Sequence, residues 1–160
     1  MAHPILSDDE ARTFFAALRD TTFDWTADRL PALMAELGWT IDTAVTIPGE
    51  AAIADVSWDL PEVAVDIQFS GSAVDAFYIP LASPADDPAA QLELADAFAR
   101  FTVLIQDVMG APGVRVPGDY PGLRWRHGNS VLKLQGGPKV IFVFWATSEF
   151  QDTLDKMDTE

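Results

Sequence analysis

Two hydrophobic periods alternate along the chain, and the points where one gives way to the other divide it into elements. Ser7-Asp8-Asp9-Glu10 reads as a capping box, in which Ser7 and Glu10 each satisfy an orphan backbone donor at a helix start. Ala11, Phe14, Phe15 and Leu18 follow at helical spacing and mark one apolar face. A second helix is predicted over residues 28–37, with Pro31 tolerated in its first turn and Gly38 as a left-handed cap.

From Trp39 the period falls to two. Trp39, Ile41, Thr43, Val45 and Ile47 alternate with Thr40, Asp42, Ala44 and Thr46, which predicts a strand over 39–47. Pro48-Gly49 turns the chain into a strand over 51–58, Asp59-Leu60-Pro61-Glu62 into one over 63–69, and 70–73 into one over 74–81. These form a four-stranded antiparallel meander. Asp86-Asp87-Pro88 opens the longest helix, with carboxylates at its positive end. Leu94, Phe98, Phe101, Ile105 and Val108 form its buried stripe, and Gly110 and Pro112 end it.

Residues 111–122, rich in Pro and Gly, read as an ordered surface loop. The turn His127-Gly128-Asn129-Ser130 joins 123–127 to 131–135 as a hairpin, and Gly136-Gly137-Pro138 feeds a strand over 139–146. The continuous apolar character of that strand predicts a central position covered on both faces. Ser148 caps a final helix carrying Phe150, Leu154 and Met157. The expected order is ααββββαβββα: a single α+β domain over 1–160, with a meander and a three-stranded C-terminal unit packed on one long helix.

Register sharpens the picture, because the apolar face of each strand must meet that of its neighbour. With Leu60-Pro61 central in its turn, Trp58 opposes Val63, Val56 opposes Val65 and Ala54 opposes Ile67. With Pro48-Gly49 as a two-residue loop, Trp39 opposes Trp58, Ile41 opposes Val56 and Val45 opposes Ala52. The opposite face then carries Asp42, Asp55 and Asp66 abreast, with Phe77 next in the row. Two carboxylates about 5 Å apart in water repel by roughly 1 kcal/mol, and like charges directly opposed destabilise a sheet. The Pro48-Gly49 turn is the weak point, since Pro is not favoured in the turns of tight hairpins.

Charge makes that row matter. The 160 residues hold 25 acidic and 10 basic side chains, a net charge of −15, which excludes generic DNA and anionic-membrane binding. Arg115, Arg124, Arg126, Lys133 and Lys139 lie within 25 residues in which Asp119 is the single acid, and Arg124 is expected opposite Lys133. The aspartate row therefore has three readings: a solvated face, a face neutralised by that basic band, or a surface held for a cationic partner.

Candidate chemistry is sparse. The chain has no cysteine, so no disulfide framework, thiolate nucleophile or zinc–cysteine site. Its two histidines are His3, near the start, and His127, at a hairpin turn. No HExxH helix, phosphate-binding loop or nucleophile elbow is present. Asp42, Asp55 and Asp66 could approach a hard cation, but a flat row lacks the enclosing loop of a dedicated site. No catalytic residue, metal or cofactor is expected. Trp25, Tyr120 and Trp125 fall outside the core pattern, and Arg–aromatic interleaving around Trp125 imitates a single-strand platform that the net charge disfavours. The longest apolar run, residues 140–146, is far below the roughly 20 residues of a membrane span. With no signal-peptide pattern at the start, a soluble, cytoplasmic protein is expected. Arg outnumbers Lys by 7 to 3, a bias of GC-rich bacterial genomes.

The stretch Phe23-Asp24-Trp25-Thr26-Ala27-Asp28-Arg29-Leu30-Pro31, followed by Leu37-Gly38-Trp39, resembles the opening of small acidic actinobacterial proteins of the kind found among immunity proteins of bacterial toxin systems. The acidic α/β chain is also similar in character to secretion chaperones. The first resemblance implies a non-enzymatic inhibitor that covers a cationic partner such as a toxin. The second implies a homodimer that docks an extended client, and a small-molecule pocket between the long helix and the meander is a third possibility. On the leading reading the partner-binding residues are Asp42, Asp55, Asp66, Asp75 and Glu62, with Phe77, Ile79, Trp25 or Tyr120 as apolar anchors.

Overall fold

The computed structural model describes residues 3–158. Helix α1 (Asp8–Asp20) starts where the capping pattern places it: the Ser7 hydroxyl accepts from the Glu10 backbone N–H at 3.1 Å. The Glu10 carboxylate turns to the Ser7 hydroxyl rather than to its backbone. After a short 3₁₀ turn at Ala27–Arg29, helix α2 (Leu30–Leu37) ends on Gly38 at φ +75°, a conformation that costs glycine nothing.

The strands are β1 (Thr40–Ile41), β2 (Ala51–Asp55), β3 (Ala64–Ser70) and β4 (Ala73–Pro80), then β5 (Val114–Val116), β6 (Gly122–His127), β7 (Ser130–Gly136) and β8 (Ile141–Thr147). Between the two sets runs helix α3 (Pro88–Met109), capped by the Asp87 carboxylate accepting from Ala90 N–H at 2.8 Å. Helix α4 (Ser148–Asp158) closes the chain; the Thr147 hydroxyl, not Ser148, accepts its first free N–H, from Phe150.

All eight strands join one antiparallel sheet in the order β1-β2-β3-β4-β8-β7-β6-β5. The fold is the expected α+β domain: a meander joined through β4 and β8 to a C-terminal unit. That unit has four strands rather than three, because part of the Pro/Gly-rich segment read as loop pairs with β6 as β5. The first strand is far shorter than 39–47. Pro48-Gly49-Glu50 forms a three-residue loop closed by Ile47 and Ala51, and the Asp42 carboxylate caps a 3₁₀ turn at Thr43–Val45.

One sheet face packs on α3, and α1 lies against α3 in turn. A single inner row runs Ile67–Phe77–Trp145–Leu132–Trp125 across five strands, all buried. Ala90, Leu94, Ala97, Phe101 and Ile105 answer from the helix, and Phe15 meets Phe101 edge-on at 6.5 Å. A fully buried ring of this kind contributes about 2–3 kcal/mol by burial alone. Phe23, Trp25, Phe77 and Trp145 form one aromatic cluster with Trp25 and Trp145 centroids 4.7 Å apart. A second cluster, Phe14, Trp39 and Trp58, closes the end of α1 near β1. Trp39 and Trp58 are thus neighbours at 6.0 Å, as expected, but through their rings and not as strand partners. The space between α3 and the sheet is filled by these side chains, which removes the pocket considered there.

Helix α4 lies on the outer face, against β7 and β8, so β8 is covered on both sides as its composition predicted. Val131 and Ala146 of the sheet and Gln151 of the helix are buried, and Phe150 stacks on Phe144 at 6.4 Å.

Candidate functional site: the outer face of β2, β3 and β4

The aspartate row is not assembled as expected. Asp55 lies opposite Thr40 on one side and Ala64 on the other, and Asp66 lies between Ile53 and Tyr78. Relative to the expected pairing, β3 has slid by two residues against β2. A two-residue slip keeps every side chain on its own face but changes its partner. Asp55 and Asp66 therefore share the outer face diagonally, at a separation of roughly 7–8 Å for such positions, instead of directly opposed. Asp42 has left the strand to cap Ala44 N–H at 3.0 Å, although its own N–H still donates to the Ile53 carbonyl.

Three expected anchors belong to the core. Phe77 is fully buried on the helix side opposite Ile67, because a bulge opposite Gln68 and Phe69 adds one residue, Asp75, to β4 and brings Tyr78, not Phe77, opposite Asp66. Ile79 is fully buried on the same side. Trp25 is buried in the aromatic cluster, held at φ +62° by its carbonyl accepting from Val74 N–H and by the Asp24 carboxylate accepting from Thr26. None of the three can meet a partner.

The remaining candidates are dispersed. Asp75 is the unpaired residue of the β4 bulge, half-buried, where it accepts from the Ser70 hydroxyl. Glu62 is exposed in the β2–β3 connection at φ +63°. His3, expected to fray, donates from its backbone to Glu93 and places Nε2 2.6 Å from the Ser83 carbonyl. Among the described residues, no group of three or more His, Asp or Glu side chains is arranged to hold a metal ion, and no helix is long and apolar enough to cross a membrane.

What the outer face does bring together is an aromatic group beside Asp66. Tyr78 stacks on Phe142 at 4.5 Å, and Tyr120 meets Phe142 edge-on at 5.8 Å while remaining 49% exposed. The Gln135 side chain donates to the Tyr120 carbonyl and holds that loop down. Burial, then the neighbouring Tyr120 and Asp66, push the Tyr78 phenol above its ordinary range, so it stays neutral. Of this group only Tyr120 was legible from the sequence. Tyr78 lies at the position alternating with Phe77, and the bulge decides which of the two faces outward.

One outer row crosses six strands as Ile53–Asp66–Tyr78–Phe144–Lys133–Arg124 and passes from acidic to basic. Arg124 opposes Lys133 as expected. It lies four strands from Asp66, about 19 Å at 4.8 Å per strand, too far to neutralise it. The arginines are instead met by α4: Arg124 pairs with Asp155 at 3.2 Å, and Arg126 with Asp152 at 2.8 Å. Lys133 sits 4.6 Å over the Phe144 ring.

Burial pulls the Asp155 carboxyl upward, but the Gln151 amide and the two arginines outweigh it and hold it below its ordinary value of 3.8. A depressed carboxylate contributes stability that is complete above the ordinary value and lost as the pH falls below it. Asp155→Asn is therefore expected to lose less stability than the parent between pH 7 and pH 3, measured by urea unfolding at each pH. Equal losses would remove the pair from the acid response.

The acidic half has no such compensation. Residues 30–99, which build α2, β1 to β4 and the first half of α3, contain twelve Asp and Glu and no Lys or Arg. They thus carry −12 of the total −15. No ion pair among the described residues reaches Asp42, Asp55, Glu62 or Asp66. Helix α4 does not extend over β2 and β3, and Asp55, Asp66 and Gln68 are exposed there.

Among solved structures the chain is similar to a DUF4309 family protein (YjgB) from Bacillus subtilis subsp. subtilis str. 168, with 10% sequence identity over 88% of this chain and 97% of that one, at a TM-score of 0.48. No curated protein matches the sequence. A family model does match, over residues 9–147, which span α1 to the end of β8 and so contain the whole sheet and both aromatic clusters. The chain belongs to that family, DUF6301, a family of unknown function.

Proposed function

We propose that the protein is a non-enzymatic binding domain that takes a cationic protein partner on the outer face of β2, β3 and β4, in the manner of an immunity protein covering a basic toxin surface. One observation carries the reading: a 70-residue stretch with twelve carboxylates and no cation surrounds an uncovered sheet face on which Asp55 and Asp66 have no ion pair among the described residues. A field of one sign accelerates encounter with an oppositely charged partner and rejects like-charged ones. Charge alone gives little affinity, and the half-exposed Tyr120, edge-on to the buried Phe142 on which Tyr78 stacks, supplies an amphipathic anchor.

The test is capture of the partner from the native host by the immobilised parent and by Asp55→Asn/Asp66→Asn. Retention is expected to collapse by about 1 M salt, where the screening length is about 3 Å. It is expected to be lost at low salt in the double variant and kept in Asp86→Asn/Asp87→Asn, which removes equal charge elsewhere. Retention through high salt, or equal loss in both double variants, overturns the assignment of this face.

A further inference from the structure

The second aromatic cluster does more than close the core. Phe14 from α1 and Trp39 at the start of β1, both buried, form the floor of a corner whose accessible wall is the half-buried Trp58 from after β2. Trp58 is nearly perpendicular to both others, at 83° to Phe14 with centroids 5.0 Å apart and at 82° to Trp39 with 6.0 Å. Phe14 and Trp39 complete it at 5.7 Å. These rings line a cavity of about 390 Å³ whose mouth is framed by Asp9 and Glu10 from the first turn of α1 and Glu36 from the last turn of α2. Among the described residues, no Lys, Arg or His side chain lines it. All three carboxylates are exposed; Glu10 accepts from the Ser7 hydroxyl, and Glu36 from the Thr21 hydroxyl at a long 3.4 Å. The C-terminal carbonyls of α2 add negative potential at the same mouth.

One accessible indole over an aromatic floor, with carboxylates at the rim, suits an organic cation. The ring quadrupoles attract a positive charge that carries its own apolar substituents, and Trp does so best. A small inorganic ion would be left without oxygen ligands among the rings, and an anion would meet three like charges.

We infer that this corner holds the ammonium or guanidinium group of a lysine or arginine side chain presented by the partner, an assignment that rests on the cationic-partner reading above. It supplies a directional pocket that a flat acidic face lacks, and two of its three rings, Trp39 and Trp58, come from the stretch 30–99 that holds no Lys or Arg.

The probes are choline, its neutral carbon isostere 3,3-dimethylbutan-1-ol, and end-capped tripeptides Gly-Lys-Gly, Gly-Arg-Gly and Gly-Gln-Gly. Binding is followed on the full chain by the indole N–H signals of Trp39 and Trp58, with Trp125 as the internal control. Saturable shifts are expected with the Lys and Arg peptides and with choline, and none with the isostere or the Gln peptide. Trp58→Leu is expected to weaken binding about tenfold or more, the scale of losing a desolvated cation–aromatic contact. Glu36→Gln, on an exposed side chain and without risk to the fold, is expected to weaken it severalfold. Asp55→Asn/Asp66→Asn is expected to leave it unchanged.

Equal response to choline and its isostere, or no response of Trp39 and Trp58, overturns the cation assignment. Response to choline without response to the peptides makes the corner a free-cation site and overturns the side-chain assignment. Partner capture that survives Trp58→Leu and Glu36→Gln also overturns the inference, while leaving the outer-face reading standing.

Discussion

Replacing Gly122 with alanine is expected to cost about 3 kcal/mol or more, beyond the usual range for one added methyl in a packed site. Gly122 opens β6 opposite Gln135. A Cβ built there falls 1.8 Å from the Leu134 carbonyl oxygen, 2.8 Å from its carbon and 2.9 Å from the Gln135 Cα. All three are backbone atoms of the neighbouring strand, so no side chain can swing aside, and the β6–β7 ladder must separate at its end. Pro121 O, which accepts from Gly136 N–H, and Tyr120, held by Gln135, would move with it. Gly113→Ala is the matched control, since its Cβ would meet the Arg124 carbonyl at an ordinary 3.5 Å. Urea midpoints measured side by side should place the first variant far below the second. Coincident midpoints would mean that the two strands do not approach as described.

Phe77→Ala is the other large effect, and it separates the core from the recognition face. The ring is fully buried, stacked on Trp145 at 5.1 Å and flanked by Trp25 at 5.8 Å and Phe23 at 5.9 Å. Removing a ring from such a site costs about 3–5 kcal/mol, a large share of the 5–15 kcal/mol that holds a typical domain folded. The milder Phe77→Leu keeps most of the volume and is expected to lose stability by a smaller amount while capturing the partner as the parent does. Lost capture at unchanged stability would return Phe77 to the surface as an anchor.

That contrast shows how far the sequence carries. The ends of α1, α2 and α3 were legible because each rests on one residue with one job: Ser7 and Asp87 accepting at helix starts, Gly38 turning left-handed. The cap of α4, by contrast, is Thr147, one residue before the expected Ser148. Alternation correctly placed Ala52, Ala54, Val65 and Ile67 on the buried face. The β6–β7 hairpin was legible to the residue, since Gly128-Asn129 is a two-residue turn that fixes the register and puts Arg124 against Lys133.

The acidic face failed where alternation says nothing. Trp58 leaves the strand to meet Phe14, lengthening the β2–β3 connection and sliding the pair by two, a change that burial does not register. The bulge after Gln68 shifts register by one and exchanges Phe77 for Tyr78. The basic band was read correctly as concentrated, but its counterions came from α4, whose Asp152 and Asp155 lie on the face of a helix predicted only by its apolar residues. Of the corner formed by Phe14, Trp39 and Trp58 only the Trp39–Trp58 neighbourhood was legible, and of the outer aromatic group only Tyr120, because each draws on elements far apart in the chain.

The sheet begins with a strand of two residues and finishes with one of three. An exposed margin is where a foreign segment ordinarily grafts on by main-chain pairing, and such grafting needs a run of free N–H and C=O groups. Both margins here are too brief to template one. Short edge strands disfavour fibrillar stacking and strand donation by length, which leaves the broad sides of the sheet as the larger surface for another macromolecule.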